Sequence, residues 1–332
     1  MPAIESKTPA VPVTVENFRR AESDMYFSSV VKQEGAFGRF THHRDPAPID
    51  HQLVIRVNRD TLYSPAVVDL EAGPVTVTLP DGGNRFMSMQ VIDEDQYTPA
   101  VVYGAGTYTF TREQIGTRYV LLAIRTLVDP QNPQDVKEVH ALQDAIQLDQ
   151  KSPGRFEVPH WDQASQKKVR DALLMLGTTV PDSKRMFGSR DQVDPLRHLI
   201  GTAMAWGGNP EKDAVYLNIT PSKNDGKTLY RLNVKYVPVD AFWSLSVYNA
   251  QGYFEKNQYD AYALNNLTAK KNQDGSVTIH FGGCDGKTPN CLPITLGWNY
   301  LVRLYRPRTE ILNGTWKFPA AEPLQDVTEK VA

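Results

Sequence analysis

A chain of 332 residues, 41% of them apolar and 22% charged, is long enough for two globular units with large buried cores. Its formal net charge of −2 gives no basic field to recruit nucleic acid or an anionic membrane. No run of about 18 apolar residues occurs, so no transmembrane helix is expected, and Met1-Pro-Ala-Ile-Glu5 lacks the basic start and apolar core of a signal peptide.

In chain order, residues 1–12 are rich in Pro and Ala and read as a disordered leader. Thr14 is placed to cap a helix running to about Lys32, with Phe18, Ala21, Met25, Tyr26, Ser29 and Val30 at helical spacing and Gly35 and Gly38 ending it. After a Pro-broken loop the apolar period changes to two. Strands are expected over 52–57, 62–70, 74–79, 85–92, 100–103, 107–110 and 118–127, with Pro80-Asp-Gly-Gly83 as a turn. Residues 129–208 return to helical spacing. Val136, Val139, Leu142 and Ile146 mark one helix, and Trp161, Ala164, Val169, Leu173 and Leu176 a second. A third opens on Asp194-Pro195, an N-cap followed by Pro at the first helical position, and stops at Gly207-Gly208. Strands resume over 214–219, 228–236, 242–249, 276–281 and 299–306.

The two β regions echo one another. Phe86-Met-Ser-Met-Gln-Val-Ile-Asp93 is matched by Phe242-Trp-Ser-Leu-Ser-Val-Tyr-Asn249. Asp60-Thr-Leu-Tyr63 precedes the first copy and Asp213-Ala-Val-Tyr216 the second. Gly116-Thr-Arg-Tyr119 with Arg125 follows the first, and Gly297-Trp-Asn-Tyr300 with Arg306 the second. Three landmarks in the same order argue for tandem duplication of one β unit. The fold class expected is mainly β with a helical insert: two tandem antiparallel β-sandwich, jelly-roll-like domains over 13–128 and 209–323, an insert over 129–208 and a tail over 324–332.

The motifs Val57-Asn-Arg-Asp-Thr-Leu-Tyr-Ser64, Phe86 to Val91, Phe242-Trp-Ser-Leu-Ser-Val-Tyr-Asn-Ala-Gln-Gly-Tyr-Phe254 and Gly297-Trp-Asn-Tyr-Leu-Val-Arg-Leu-Tyr-Arg306 resemble a known family. It joins domain of unknown function 1254, N-terminal, to domain of unknown function 1214, C-terminal. The likeness runs from about Val13 to Pro323 and implies two jelly-roll-like domains with helices, a homo-oligomer and export. It implies no catalytic residues.

Three constellations could carry chemistry. Asn58-Arg59-Asp60 sets three polar side chains beside an apolar run; Arg59 could clamp an anion and Asp60 act as a base, against the bland alternative of a strand corner. Gln90 and Asp93, with Glu94 and Asp95, make an acidic strand end, matched in the second unit by Ser246 and Asn249; a solvated turn is the commoner fate of such a charge run. Trp206, Trp243, Tyr248, Asn249 and Tyr253 offer aromatic faces near amides, suited to a sugar or planar ligand, though most aromatics in a chain are core. His42, His43 and His51 flank a loop where a metal could sit, but surface histidines are commoner, and His198 reads as a satisfied core histidine. No metal or cofactor is expected. Nucleophile-elbow, zincin and dinucleotide signatures are absent.

Cys284-Asp-Gly-Lys-Thr-Pro-Asn-Cys291 places both cysteines in one turn-rich loop, which favours a loop-closing disulfide and hence a periplasmic or secreted location. The function expected is ligand binding in a cleft between two jelly rolls, with Asp60 and Asp93 as acid and base of a hydrolase acting on a glycan or ester. Asn58, Arg59, Gln90, Trp206, Tyr248 and Asn249 would bind the substrate. The alternative is a non-catalytic protein that binds a small molecule, a glycan or a partner surface.

Overall fold

The structure, a computed structural model, describes residues 9–52 and 55–324. Most of the expected leader, residues 53 and 54 of the first expected strand and all but the first residue of the tail lie outside that range. The described end of that strand, 55–57, is a turn and coil, with Arg56 at φ 53°.

The chain forms two compact units. The first takes the described residues up to Arg44, then Tyr63–Thr126 and Glu138–Glu211; the second takes Asp45–Leu62, Leu127–Lys137 and the chain from Lys212. The segments 45–62 and 127–137 thus belong with the second unit although they precede it.

The first unit opens on α1 (Phe18–Glu34). Asn17, not Thr14, is its N-cap residue, and Gly35 ends it at φ 69°, a backbone region that glycine enters without strain. Then come β1 (Thr61–Asp69), β2 (Val75–Leu79), β3 (Met87–Asp93), β4 (Ala100–Tyr103), β5 (Gly106–Phe110), α2 (Arg112–Ile115) and β6 (Tyr119–Leu127). They are followed by α3 (Pro133–Asp144), β7 (Gln147–Asp149), α4 (Gln163–Gly177) and α5 (Pro195–Ala205). Asp194 caps α5 by accepting from the Leu196 and Arg197 amides, as its Asp-Pro start predicts. The strands make two sheets, ordered β1-β6-β3-β4 and β5-β2-β7. Val75, Val77 and Leu79 of one sheet and Met87, Met89, Val91, Val120, Leu122 and Ile124 of the other share one core, so this unit is a β-sandwich.

The second unit holds β8 (Ala214–Ile219), β9 (Tyr230–Val234), β10 (Trp243–Tyr248), β11 (Ala263–Asn265), β12 (Val277–Phe281), β13 (Cys291–Leu292), β14 (Asn299–Tyr305), α6 (Thr309–Leu312) and β15 (Glu322–Pro323). Its sheets are ordered β11-β10-β14-β8 and β13-β12-β9-β15. Tyr230, Leu232, Val234, Val277, Ile279 and Phe281 face Trp243, Leu245, Val247, Tyr300, Val302 and Leu304 in its core. Burying each such side chain contributes roughly 1.5–3 kcal/mol.

The two sandwiches are copies. Replacing β1 to β7 by β8, β9, β10, β11, β12, β14 and β15 reproduces both sheet orders; β13, which runs parallel to β12, is the one addition. The ladders correct one landmark. Arg125 stands opposite Ser88, and Arg303 stands opposite Ser244. Arg303 is therefore the counterpart of Arg125, while Arg306 lies beyond the strand end at φ 51°. Matching Tyr119 to Tyr300 by spacing misplaced the second strand by three residues.

The β1-β6-β3-β4 and β11-β10-β14-β8 sheets are covered on both faces at their central strands. In the first unit Phe27, Val30 and Val31 of α1, with Phe156, Val158 and Trp206, cover Val67, Ile92, Tyr119, Leu121 and Ala123. In the second, Ile49 and Val57 pack with Tyr248, Phe254, Tyr262 and Leu301. This cover explains why β3, β6, β10 and β14 have no exposed residue.

Candidate functional site

The polar strand ends are one corner used twice. Asp93 Oδ1 accepts from the Asp95 and Tyr97 amides at 2.8 and 2.9 Å, and the Asp93 amide donates to the Tyr97 carbonyl. Asn249 Oδ1 accepts from the Gln251 and Tyr253 amides at 3.1 and 3.0 Å, and the Asn249 amide donates to the Tyr253 carbonyl. A side-chain oxygen that ties the chain two and four residues on fixes the reversal after β3 and after β10. The shared oxygen acceptor is what the Asp/Asn echo in the sequence records.

Around Asp93 the first unit gathers charge. Arg190 lies 3.4 Å from Asp93 and 3.0 Å from Asp95, and Arg20 lies 2.9 Å from Asp95. Asp24 Oδ2 accepts from the Trp161 indole at 2.8 Å. Burial pushes the Asp24 and Asp93 carboxyls up from 3.8 to about 7, and raises Glu94 as well. His198 is fully buried, its ring nitrogens facing the Met186 and Asp95 carbonyls at 2.8 and 3.1 Å, with Tyr97 stacked on it at 4.3 Å. Among the described residues no group of three or more His, Cys, Asp or Glu side chains could hold a metal ion. His42 bonds Ser64 and His43 bonds Glu34.

Gln90 and Trp206 are also in the first unit, and both are committed to its interior. Gln90 Nε2 donates to Thr98 and to the Gly208 carbonyl, and its Oε1 accepts from Arg125 at 2.8 Å. Trp206 stacks on Tyr26 at 4.4 Å and donates to Ser23.

Asn58, Arg59, Asp60, Tyr248 and Asn249 lie in the second unit. Asn58 Oδ1 accepts from the Asp60 amide, and its Nδ2 donates to Thr61 and to the Tyr305 hydroxyl. Arg59 donates to the Ala47 carbonyl and lies over the Tyr262 ring. Asp60 is 3% exposed and accepts from Asn265; burial raises its pKa, and Arg303, Ser244 and Asn265 oppose the rise. Arg303 is 2% exposed and donates to Ser246, to the Tyr248 hydroxyl and to the Arg56 carbonyl. These groups pin the 45–62 segment onto the sheet. The corner alternative describes them better than an open catalytic site does.

Two cavities lie within the second unit. One, of about 50 Å³, is lined by Tyr248 and Asn249 with Glu255, Lys256, Asn257 and Tyr262. Its polar groups are engaged: Tyr248 with Val57 and Arg303, Asn249 with Glu255, Asn257 with Ala261 and Tyr259, and Lys256 with Asp50. The other is three times larger, about 150 Å³. It is lined by Val234, Val237, Trp243 and Val277 from the end of the sandwich core and by Lys235, Asn266, Lys271 and Gly275. The Asn266 side-chain oxygen is buried and has no protein partner. Sequence reasoning named Trp243, and Asn266 begins an Asn-x-Thr sequence, but Lys235 and Lys271 sit in irregular connections without a motif.

Two family models match the chain. The one described as "Protein of unknown function (DUF1254)" matches residues 37–150, and "Protein of unknown function (DUF1214)" matches 215–309. The chain is similar in fold to the VPA0106 protein from Vibrio parahaemolyticus, at 17% identity and a TM-score of 0.73 over 94% of this chain and 98% of that one. It is also similar to an uncharacterized protein from Burkholderia cenocepacia, at 14% identity and a TM-score of 0.55 over 97% of this chain and 92% of the other. No curated protein matches it.

Proposed function

We propose that this chain, which belongs to the family joining DUF1254 to DUF1214, is a non-catalytic binding protein that holds a small organic molecule in the end of its second sandwich. The observation that carries the reading is the 150 Å³ cavity, with Trp243 and Asn266 among its lining residues. A cavity of about this volume accommodates a benzene-sized group.

The hydrolase reading has less support. Asp60 and Asp93 belong to different units, and each carboxylate is held by its own neighbours. General acid–base catalysis needs a group within reach of a bound substrate, and neither lines either of the two cavities described above. We further propose that the protein works in an oxidising compartment, the periplasm or outside the cell. The Cys284–Cys291 disulfide supports this, and no described helix is long and apolar enough to cross a membrane. Assembly into a homo-oligomer is part of the same proposal and rests on the family resemblance.

The test is a thermal-shift screen of benzene-sized compounds on the wild type and on Val237→Trp, which fills the cavity. A ligand at 100 times its Kd adds about 2.7 kcal/mol to the native state, a readily visible shift. Stabilisation by one chemical class that Val237→Trp abolishes is the expected result. A flat screen, or shifts that Val237→Trp leaves unchanged, overturns the proposal.

A further inference from the structure

We infer that the exposed face of α4 and α5 in the first unit is an interaction surface for a second copy of this chain. The inference does not depend on the cavity reading; it gives the homo-oligomer proposed above a surface.

The helix α4 changes character along its length. Its first half puts Gln163, Lys167, Lys168 and Asp171 in solvent. Its end, Ala172-Leu-Leu-Met-Leu-Gly177, is apolar all round. Leu173 alone of the long side chains there reaches the core, at 3% exposed. Met175 lies about 200° further round the helix, on the side away from that core, and is 73% exposed. Leu174 and Leu176, on the flanks, are 40% and 51% exposed, although Leu176 has the spacing of a core residue in the sequence. A helix that is apolar on every side belongs in a buried setting.

The patch continues onto α5. Met204 packs so closely on Gly177 that a side chain at 177 would have no room. Met204 still exposes 43% of its surface, and Leu196, two turns earlier, exposes 62%. The half-buried Val169, Leu199 and Ala203 pack on the same core as Leu173 and Ile200, so apolar surface joins the two helices.

Area and charge select the partner. The five exposed side chains present about 500 Å² of apolar surface, in the upper part of the range of roughly 300–600 Å² for the largest patch on a monomer. A standard interface takes about 800 Å² from each partner, and interfaces between identical subunits are about 65% apolar. This patch with a polar border meets both figures. Three cations at that border are engaged: Lys167 with Asp171 at 2.5 Å, Arg170 with Glu22 at 2.6 Å, and Arg197 with Asp182. A helix that lies on an anionic bilayer uses such charges for the headgroups. The net charge of −2 puts little repulsion between two copies.

The experiment is sedimentation velocity on the full chain over a wide range of concentration, using wild type, Met175→Glu, Leu196→Glu and, as a control in the second unit, Leu296→Glu. All three positions are exposed, so the variants keep their fold, which melting curves check. The wild type is expected to associate. Met175→Glu and Leu196→Glu each weaken association by about hundredfold or more, because a contact between identical surfaces meets the new charge from both sides. Leu296→Glu leaves it within about twofold, as a surface change elsewhere does. Association that survives both helix variants overturns this surface and leaves the homo-oligomer proposal standing. A wild type that is a monomer at every concentration overturns both. If that monomer sediments with phosphatidylglycerol vesicles and Met175→Glu does not, the occupant of the patch is a lipid surface and the second copy is refuted.

Discussion

Asp24 should make the protein less stable as pH rises from 4 to 8. Its carboxyl is 1% exposed, and one oxygen accepts from Trp161 while the other has no protein partner. Burial lifts its pKa from 3.8 to about 7, with Glu94 and Asp95 adding to the rise and Trp161 and Arg20 opposing it. The folded group therefore keeps its proton through a range in which the unfolded group has lost it. Where the native state binds more protons, unfolding becomes easier as pH rises. The loss begins near pH 4 and levels off above about pH 7. A shift of roughly three units at 1.36 kcal/mol each sets a ceiling of about 4 kcal/mol. Asp24→Asn keeps an oxygen for Trp161 and removes the titration. In urea denaturation at half-unit steps from pH 4 to 8, the variant should match the wild type near pH 4 and exceed it by about 2–4 kcal/mol at pH 8. Parallel profiles for the two proteins would refute the argument, because they would mean that Asp24 carries its charge in the fold at no cost.

Asp93→Asn, which installs the residue type of the matching corner at Asn249, should fold normally and gain stability above pH 7, since burial also lifts Asp93 to about 7; circular dichroism melts at pH 5 and pH 8 read this. Reducing the Cys284–Cys291 bridge should lower stability by about 2–3 kcal/mol, the loop-closure value for so short a ring; calorimetry with and without reductant measures it, and no change would mean that β13 holds its place beside β12 unaided. Arg303→Met should destabilise the fold, because it takes the donor from the Ser246 and Tyr248 hydroxyls and the Arg56 carbonyl in a buried place, about 1–3 kcal/mol for each group left unmet, and removes the cation that opposes the rise of the Asp60 pKa. Adding Asp60→Asn should recover part of that cost, and a double-mutant cycle by urea melts measures the coupling.

The strands were legible because their apolar residues recur at period two and their ends carry turn residues. The expected 100–103 and 214–219 coincide with β4 and β8, and α4 and α5 lie within two residues of the expected helices, while α1 and α3 start three residues away from theirs. The short strands β7, β11, β13 and β15 were not legible; two or three residues cannot show a period. The run 52–57 looked like a strand from its apolar alternation, yet 55–57 turns, and Arg56 sits in the left-handed region while its carbonyl receives Arg303. The candidate site was less legible for a related reason. Asn58, Asp60, Gln90, Asp93 and Asn249 drew attention as polar groups beside apolar strands. A polar side chain in that place is most useful to the fold, where it satisfies backbone that the sheet leaves over. The cavity residues lacked any such signature. Asn266 and Lys271 come from the β11–β12 connection and Lys235 from the end of β9, and only the sandwich brings them together.

The duplication sets the 150 Å³ cavity of the second unit beside a connection that differs between the two copies. In the ladders Leu79 pairs with Gly106 and Val234 pairs with Val277, so these pairs mark the same end of each sandwich. In the first unit β4 and β5 are joined by residues 104–105 alone, and Leu142 of α3 packs against the core there, 3.8 Å from where a side chain on Gly82 would begin. In the second unit the matching connection runs from 266 to 276 and supplies Asn266, Lys271 and Gly275. One copy closed its end with a helix side chain and a tight turn. The other lengthened the turn, kept Trp243 in the wall and placed two lysines at the opening. Insertions in loops cost a fold little stability, which is why new binding surfaces arise there. The buried arginine, the turn oxygen and the sheet order stayed the same in both copies, as expected for parts that hold the sandwich together. The parts that differ between the copies are those that form the cavity.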